Sequence, residues 1–229
     1  VIGDIVGESA ARFRANWRTL LSVAVLVAVP ASLLSGLLAT SGDLGLGITF
    51  VSQIVLGGII LAASTLVVAV HVEGLDPPSV ADALRGVQSH LGRVLVVSVL
   101  FQVAVVVGLA LGVLPGLIAA TFWLLAIPLA VTERRRLDAF GRSVALVRGY
   151  AGTAFAVALL VVGLLFAVLP LTLALALSAF GVPGAVQAAL GTLVTFIVAD
   201  PLAATLMTVT YFALQRREVG EAAADQPSA

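Results

Sequence analysis

Cysteine and lysine are both absent from this chain of 229 residues. Charge of either sign is scarce: 10% of residues are charged, against about a quarter in an ordinary soluble domain. Without cysteine there are no disulfides and no thiolate metal sites. Histidine occurs only at His71 and His90, which makes no metal-ligand cluster, and no cofactor is expected. The formal net charge is zero, which argues against a nucleic-acid partner. All twelve basic residues are Arg, which reads as coding bias rather than chemistry. What the chain has in quantity is apolar surface, with 61% hydrophobic residues and a mean hydropathy of +1.18. Several runs reach the ~20 residues a helix needs to cross ~30 Å of hydrocarbon. The composition therefore predicts a single polytopic helical membrane domain. Val1 to Arg18 is not read as a signal peptide, because Asp4 and Glu8 interrupt it and no apolar core precedes Leu20.

Residues 2–18 predict an interfacial amphipathic helix, with Ile2, Val6, Phe13 and Trp17 on one face and Ile5 at its edge. Span one follows from about Thr19 to Thr40 around Pro30. After a turn at Ser41-Gly42-Asp43, span two runs from about Ile48 to Val72. The Gly45 to Gly47 stretch precedes no phosphate-binding pattern and reads as part of that turn. Asp76-Pro77-Pro78 ends the helix, and Ser79-x-x-Asp82 resembles a capping box opening a second interfacial helix over 79–91. Its apolar side is Val80, Leu84, Val87 and Leu91. Span three is about Val94 to Val113, and its Gly108-x-x-x-Gly112 invites close approach of a neighbouring helix. A Pro115-Gly116 turn leads to span four, about Leu117 to Val131. The third interfacial segment, 137–148, aligns Leu137, Phe140, Val144 and Val147. Span five is about Gly152 to Phe180. A turn at Gly181-Val182-Pro183-Gly184 leads to span six, about Val186 to Leu214.

The predicted fold is thus all-α: six transmembrane helices in three hairpins, each preceded by an interfacial amphipathic helix on the cytoplasmic side. One domain covers 1–218, in units of about 1–72, 73–133 and 134–218, and residues 219–229 are expected to be disordered. Trp17, Leu91 and Tyr150 hold matching places in a loose internal repeat, as do Glu73 and Glu133. Every Arg falls on one side of this topology, while the opposite turns carry only Asp43. The positive-inside rule then puts both termini in the cytoplasm.

Asp200 is the one acid in the middle of an apolar span. A charge there costs ~2.5–3.5 kcal/mol on insertion scales, so such residues usually face the bundle interior or a wet cavity. Pro201 leaves the Ile197 carbonyl without its helical donor, and Tyr211, with Thr208 at the edge, shares the Asp200 face. Asp200, Tyr211 and Thr208 are therefore a candidate polar intramembrane site for a proton, a cation or a polar solute. The plainer reading is a neutral Asp200 hydrogen-bonded to a residue such as Gln53 or Gln102. Arg134, Arg135, Arg136, Arg142 and Arg148 are candidate contacts for anionic lipid or phosphate, with topology determination as the plainer role. Glu73 and Glu133 are expected to pair with these Arg residues and pin the interfacial helices. No nucleophile–base pair appears, so no enzymatic activity is expected.

The order of features resembles the membrane domain of some bacterial glycerophosphoryl diester phosphodiesterases and its stand-alone relatives. The similarity is carried by Ile2-Gly3-Asp4-Ile5, Phe13 to Trp17, Leu114-Pro115-Gly116 and Pro128 to Glu133. Arg142-Ser143, Leu146 to Gly149, Thr208 to Tyr211 and Arg216-Arg217-Glu218 add to it. The family's tail has an acid two residues after the Tyr and an Arg two further on, where this chain has Ala213 and Gln215. The resemblance implies six helices in a bacterial inner membrane. It imports no phosphodiesterase activity, since the His-Arg-Gly start and Glu-Asn pair of the soluble catalytic domain are missing. The functional expectation is a non-enzymatic membrane anchor or scaffold associated with membrane lipids, with a protein partner left open. The alternative is a small-molecule or lipid transporter with Asp200 in a cavity between the hairpins.

Overall fold

The computed structural model describes residues 2–38, 42–89 and 91–224, apart from the side chains at 35, 36, 42–47, 49, 50, 166–172, 174, 185, 188 and 221–224. His90, the start of the turn at Ser41 and residues 225–229 lie outside the described residues. Every element is helical: α1 (Ile2–Leu38), α2 (Gly42–Val72), α3 (Val80–Gln88), α4 (Leu91–Leu111), α5 (Val113–Trp123) and α6 (Ala126–Thr132). Then come α7 (Asp138–Arg148), α8 (Ala151–Val162), α9 (Leu169–Ala179), α10 (Gly184–Val194) and α11 (Asp200–Ala224). Among the described residues, five helices are long and apolar enough to cross a membrane: Ile2–Leu34, Val51–Val72, Leu91–Leu111, Val113–Thr132 and Ala189–Gly220. Ala151–Leu165 is a shorter apolar helix. Large apolar side chains stay exposed along these helices, among them Leu26, Leu33, Val107, Leu111 and Leu159. An apolar exterior of that extent suits lipid rather than water.

Proline explains where the helices deform. Pro170 and Pro201 each lack the N–H that would close the carbonyl four residues back. Just ahead of each lies a π-helical stretch, Gly163–Val168 before Pro170 and Thr195–Ala199 before Pro201. Pro128 has the same effect on Leu124, and there α5 stops and α6 begins. Ser143 of α7 fills that break. Its hydroxyl accepts the Leu125 N–H at 3.2 Å and donates to the Phe122 carbonyl at 2.8 Å.

Glycine explains the sharpest turns. At Gly74 (φ 81°) and Gly181 (φ 67°) the chain leaves α2 and α9 through the same closure. The Gly N–H bonds three residues back, and the next N–H bonds five residues back. The turn between α4 and α5 is the single residue Gly112 (φ 141°), not Pro115-Gly116, which lie in the first turn of α5. Gly116 instead meets Gly108: a Cβ added to Gly108 would stand 2.6 Å from Gly116 Cα. The two backbones approach each other at this point, so the close contact expected of Gly108 is made within its own helix pair.

Other expectations need correction. α1 is continuous through residues 18–19, because nothing there breaks a helix, and at 37 residues it is about 55 Å long. Over residues 2–18 its buried face is Ile5, Ser9 and Asn16, whereas Ile2, Val6 and Trp17 are exposed. Gly45 to Gly47 lie within α2. α7 buries Ala139, Ser143, Leu146 and Val147, with Leu137 exposed. The small residues and the hydroxyl needed at Leu125 turn that face inward. α11 continues to Ala224. The Ser79 cap does form, its hydroxyl accepting the Asp82 N–H at 3.2 Å.

α2 packs on α1, α4, α6 and α11 and so lies at the centre of the bundle. Its buried Ile60 meets a stripe of Ala24, Ala28 and Ala31 on α1 together with Phe196. Spacings of three and four put those alanines on one face and let the helices approach closely.

Candidate functional site

Between α2, α4, α10 and the start of α11 lies a partly open cavity of about 360 Å³. α2 contributes Gln53, Gly57 and Leu61, which share a face at four-residue spacing. α4 contributes Gln102, and Leu165 comes from the first π stretch. Gly191, Thr192, Thr195 and Phe196 approach from α10 and the second π stretch, and Asp200 opens α11. That π stretch ends immediately before Asp200 and Pro201, so the acid sits where the helical ladder is already irregular.

Asp200 is 4% exposed, and its Oδ2 is buried without a hydrogen-bond partner. Space for the carboxyl exists because position 57 is glycine: a Cβ there would stand 3.2 Å from Asp200 Oδ2 and 3.3 Å from the Phe196 ring. The neighbouring amides are engaged elsewhere. Gln53 Nε2 donates to Thr192 Oγ1 at 2.8 Å, and Gln102 Nε2 donates to the Ile54 carbonyl at 3.1 Å. The plainer reading, an Asp200 hydrogen-bonded to one of these glutamines, is not what the geometry has at Oδ2. Chemically, the cavity offers one acid oxygen, two amide groups and two threonines inside apolar walls. This set suits a small solute carrying a positive charge or a hydrogen-bond donor.

Tyr211 and Thr208 are not brought to this cavity. Thr208 is buried with its hydroxyl bonded back to the Ala204 carbonyl at 2.7 Å. The Tyr211 hydroxyl donates to Glu133 Oε1 at 3.0 Å, and Glu133 Oε2 accepts from Arg135 Nε at 2.6 Å. Arg135 also reaches Asp138 at 3.1 Å. The Glu133 hydrogen bond is the main cause that holds the Arg135 proton more firmly than usual. Arg142 makes a two-pronged pair with Glu218, at 2.8 and 2.5 Å, which raises its affinity for the proton in the same way. Arg217 lies 5.5 Å from the Tyr150 ring, and Arg12 donates to the His71 carbonyl at 3.0 Å. These contacts join the early part of α1, the ends of α2, α6 and α11, and α7.

Of the five Arg residues singled out from the sequence, Arg135 and Arg142 are therefore committed to ion pairs. Arg134 takes the left-handed conformation (φ 56°), while Arg134 and Arg136 are exposed. Arg148 stands apart, at the end of a groove along α5 from Pro115 to Trp123. Glu133 pairs as expected. Glu73 makes no ion pair among the described residues, although it lines a cleft with Arg134. Gln53 and Gln102 enter the sequence reading only as partners for Asp200, and Thr192 and Thr195 do not enter it as site residues. The available signal is an amide or hydroxyl inside an apolar run. Among the described residues, no group of three or more His, Asp and Glu is placed to hold a metal ion.

No protein-family model, no curated protein and no solved structure matches the chain. The resemblance drawn from the sequence accordingly rests on its own motifs.

Proposed function

We propose that this chain is a small-molecule transporter of the bacterial inner membrane, in which Asp200 receives a small cationic solute inside the helical bundle. One observation carries the reading: a buried acid with an unpartnered oxygen faces a cavity instead of being packed against a donor. An unpaired buried carboxyl is costly, and a bound cation or proton is what removes that cost. At about 360 Å³ the space lies at the small end of ligand pockets, too small for a two-chain phospholipid. The anchor or scaffold reading accounts for apolar helices and a basic face, but it leaves this cavity without a purpose.

The topology belongs to the same proposal. Six spans in three like-oriented hairpins, with both termini cytoplasmic, follow from the one-sided Arg distribution. The contacts that tie Arg12, Glu133, Arg142 and Arg217 into neighbouring helix ends support it. The internal repeat finds support in the positive φ of both Gly74 and Arg134, each directly after its unit's Glu.

The test is uptake of radiolabelled methylammonium into proteoliposomes under an inside-negative potential. The reading expects uptake above protein-free liposomes, lost in Asp200→Asn protein that elutes unchanged on size exclusion. Equal uptake by the two proteins, or none by either, contradicts it.

A further inference from the structure

A second polar site lies away from Asp200, in a cleft whose charged lining residues, Arg93 and Arg136, are both cations. Arg93 is in the first turn of α4, and its Nε and Nη2 are buried without an acceptor. The charged groups that act on it are Arg134 and Arg136, both of its own sign. Arg93 and Arg136 line one cleft of about 570 Å³ together with Gln88 and Ser89. Arg134 lines the adjoining cleft, together with Ser89 and the acid Glu73. The acids nearest in sequence are committed elsewhere: Glu133 to Tyr211 and Arg135, and Asp138 to Arg135 and the Arg136 backbone N–H. Glu73 forms no ion pair among the described residues, Arg134 and Arg136 included.

Bringing like charges together while burying donors of one of them is unfavourable unless an anion completes the arrangement. We propose that Arg93, Arg134 and Arg136 bind a phosphate-bearing anion in the cleft between α4 and the α6–α7 connection. A guanidinium fork matches two phosphate oxygens at once, and Nε and Nη2 are the two Arg93 donors left without an acceptor. The hydroxyl of Ser89 is held to the Gly86 carbonyl at 2.8 Å, so the arginines are the principal donors. Arg134 holds a left-handed backbone although it is not glycine, where the chain leaves α6. The phosphate can belong to a lipid headgroup or to a free anion.

The test measures inorganic phosphate binding by calorimetry to protein in phosphatidylcholine nanodiscs. Alongside it, native mass spectrometry measures retention of phosphatidylglycerol from mixed nanodiscs. Saturable phosphate binding identifies a soluble anion, and selective phosphatidylglycerol retention identifies a headgroup. In either arm, Arg93→Gln and Arg136→Gln weaken binding at least about tenfold, the loss expected for a charge-assisted hydrogen bond. Arg85→Gln, which removes an exposed Arg paired with Asp82 at 3.0 Å, leaves binding unchanged. Arg136 is exposed, so its variant carries the test even if Arg93→Gln fails to fold. Binding in neither arm, unaltered binding in Arg136→Gln, or an equal loss in Arg85→Gln overturns the proposal.

Discussion

Tyr211 and Glu133, 78 positions apart, meet through a 3.0 Å hydrogen bond that fastens α11 to the end of α6. Tyr211 is 2% exposed, so its hydroxyl has no ready exchange for water. Tyr211→Phe keeps the ring and its edge-on contact with Phe212 but removes the donor. The expected cost is about 1–2 kcal/mol, read as a lower thermal midpoint in detergent. Glu133 keeps Arg135, so the loss stays below that of a fully stranded buried charge.

Ser143 is the joint between α7 and the α5–α6 break, serving a backbone donor and a backbone acceptor at once. Ser143→Ala leaves the Leu125 N–H and the Phe122 carbonyl without that hydroxyl. About 1–3 kcal/mol should be lost. Amide exchange should accelerate at Leu125 more than at residues midway along α5. Equal protection in the variant would mean that Pro128 alone defines the break.

Gly108 has no space for a side chain. Gly108→Ala puts a methyl 2.6 Å from Gly116 Cα, a backbone atom that cannot swing aside. Overpacking of this kind costs about 1–3 kcal/mol. Gly92→Ala is the control within the same helix: nothing lies within 4 Å of its added Cβ, and helix propensity favours Ala by up to ~1 kcal/mol. The two thermal midpoints should move in opposite directions.

Much of the helical plan is legible in the sequence because it depends on local chemistry. Long apolar runs mark the helices, Ser79 marks the start of α3, and Gly181 marks the end of α9. The misreadings share a different cause. Nothing between Arg18 and Thr19 breaks a helix, yet amphipathic periodicity suggests a separate piece there. The buried face of α7 is chosen by Ser143 reaching Leu125, a tertiary requirement invisible to periodicity. Similarly, Arg142 is neutralised by Glu218, 76 positions away, and Arg135 by Glu133, so a run of basic residues overstates the free charge. Asp200 can be found from the sequence because an acid in an apolar span is rare. Its surroundings cannot, since Gln53, Gly57, Gln102 and Thr195 come from three separate helical stretches and meet only in the folded bundle.

The cysteine-free sequence allows the most direct test of the Asp200 cavity, because Thr195→Cys introduces a single thiol into its wall. The rates to compare in proteoliposomes are those of a small cationic methanethiosulfonate and its neutral analogue, with Asp200 and with Asp200→Asn. The account predicts that the introduced thiol reacts, that the cationic reagent is favoured, and that Asp200→Asn abolishes the preference. A thiol inert to both reagents, or a preference untouched by Asp200→Asn, would contradict it.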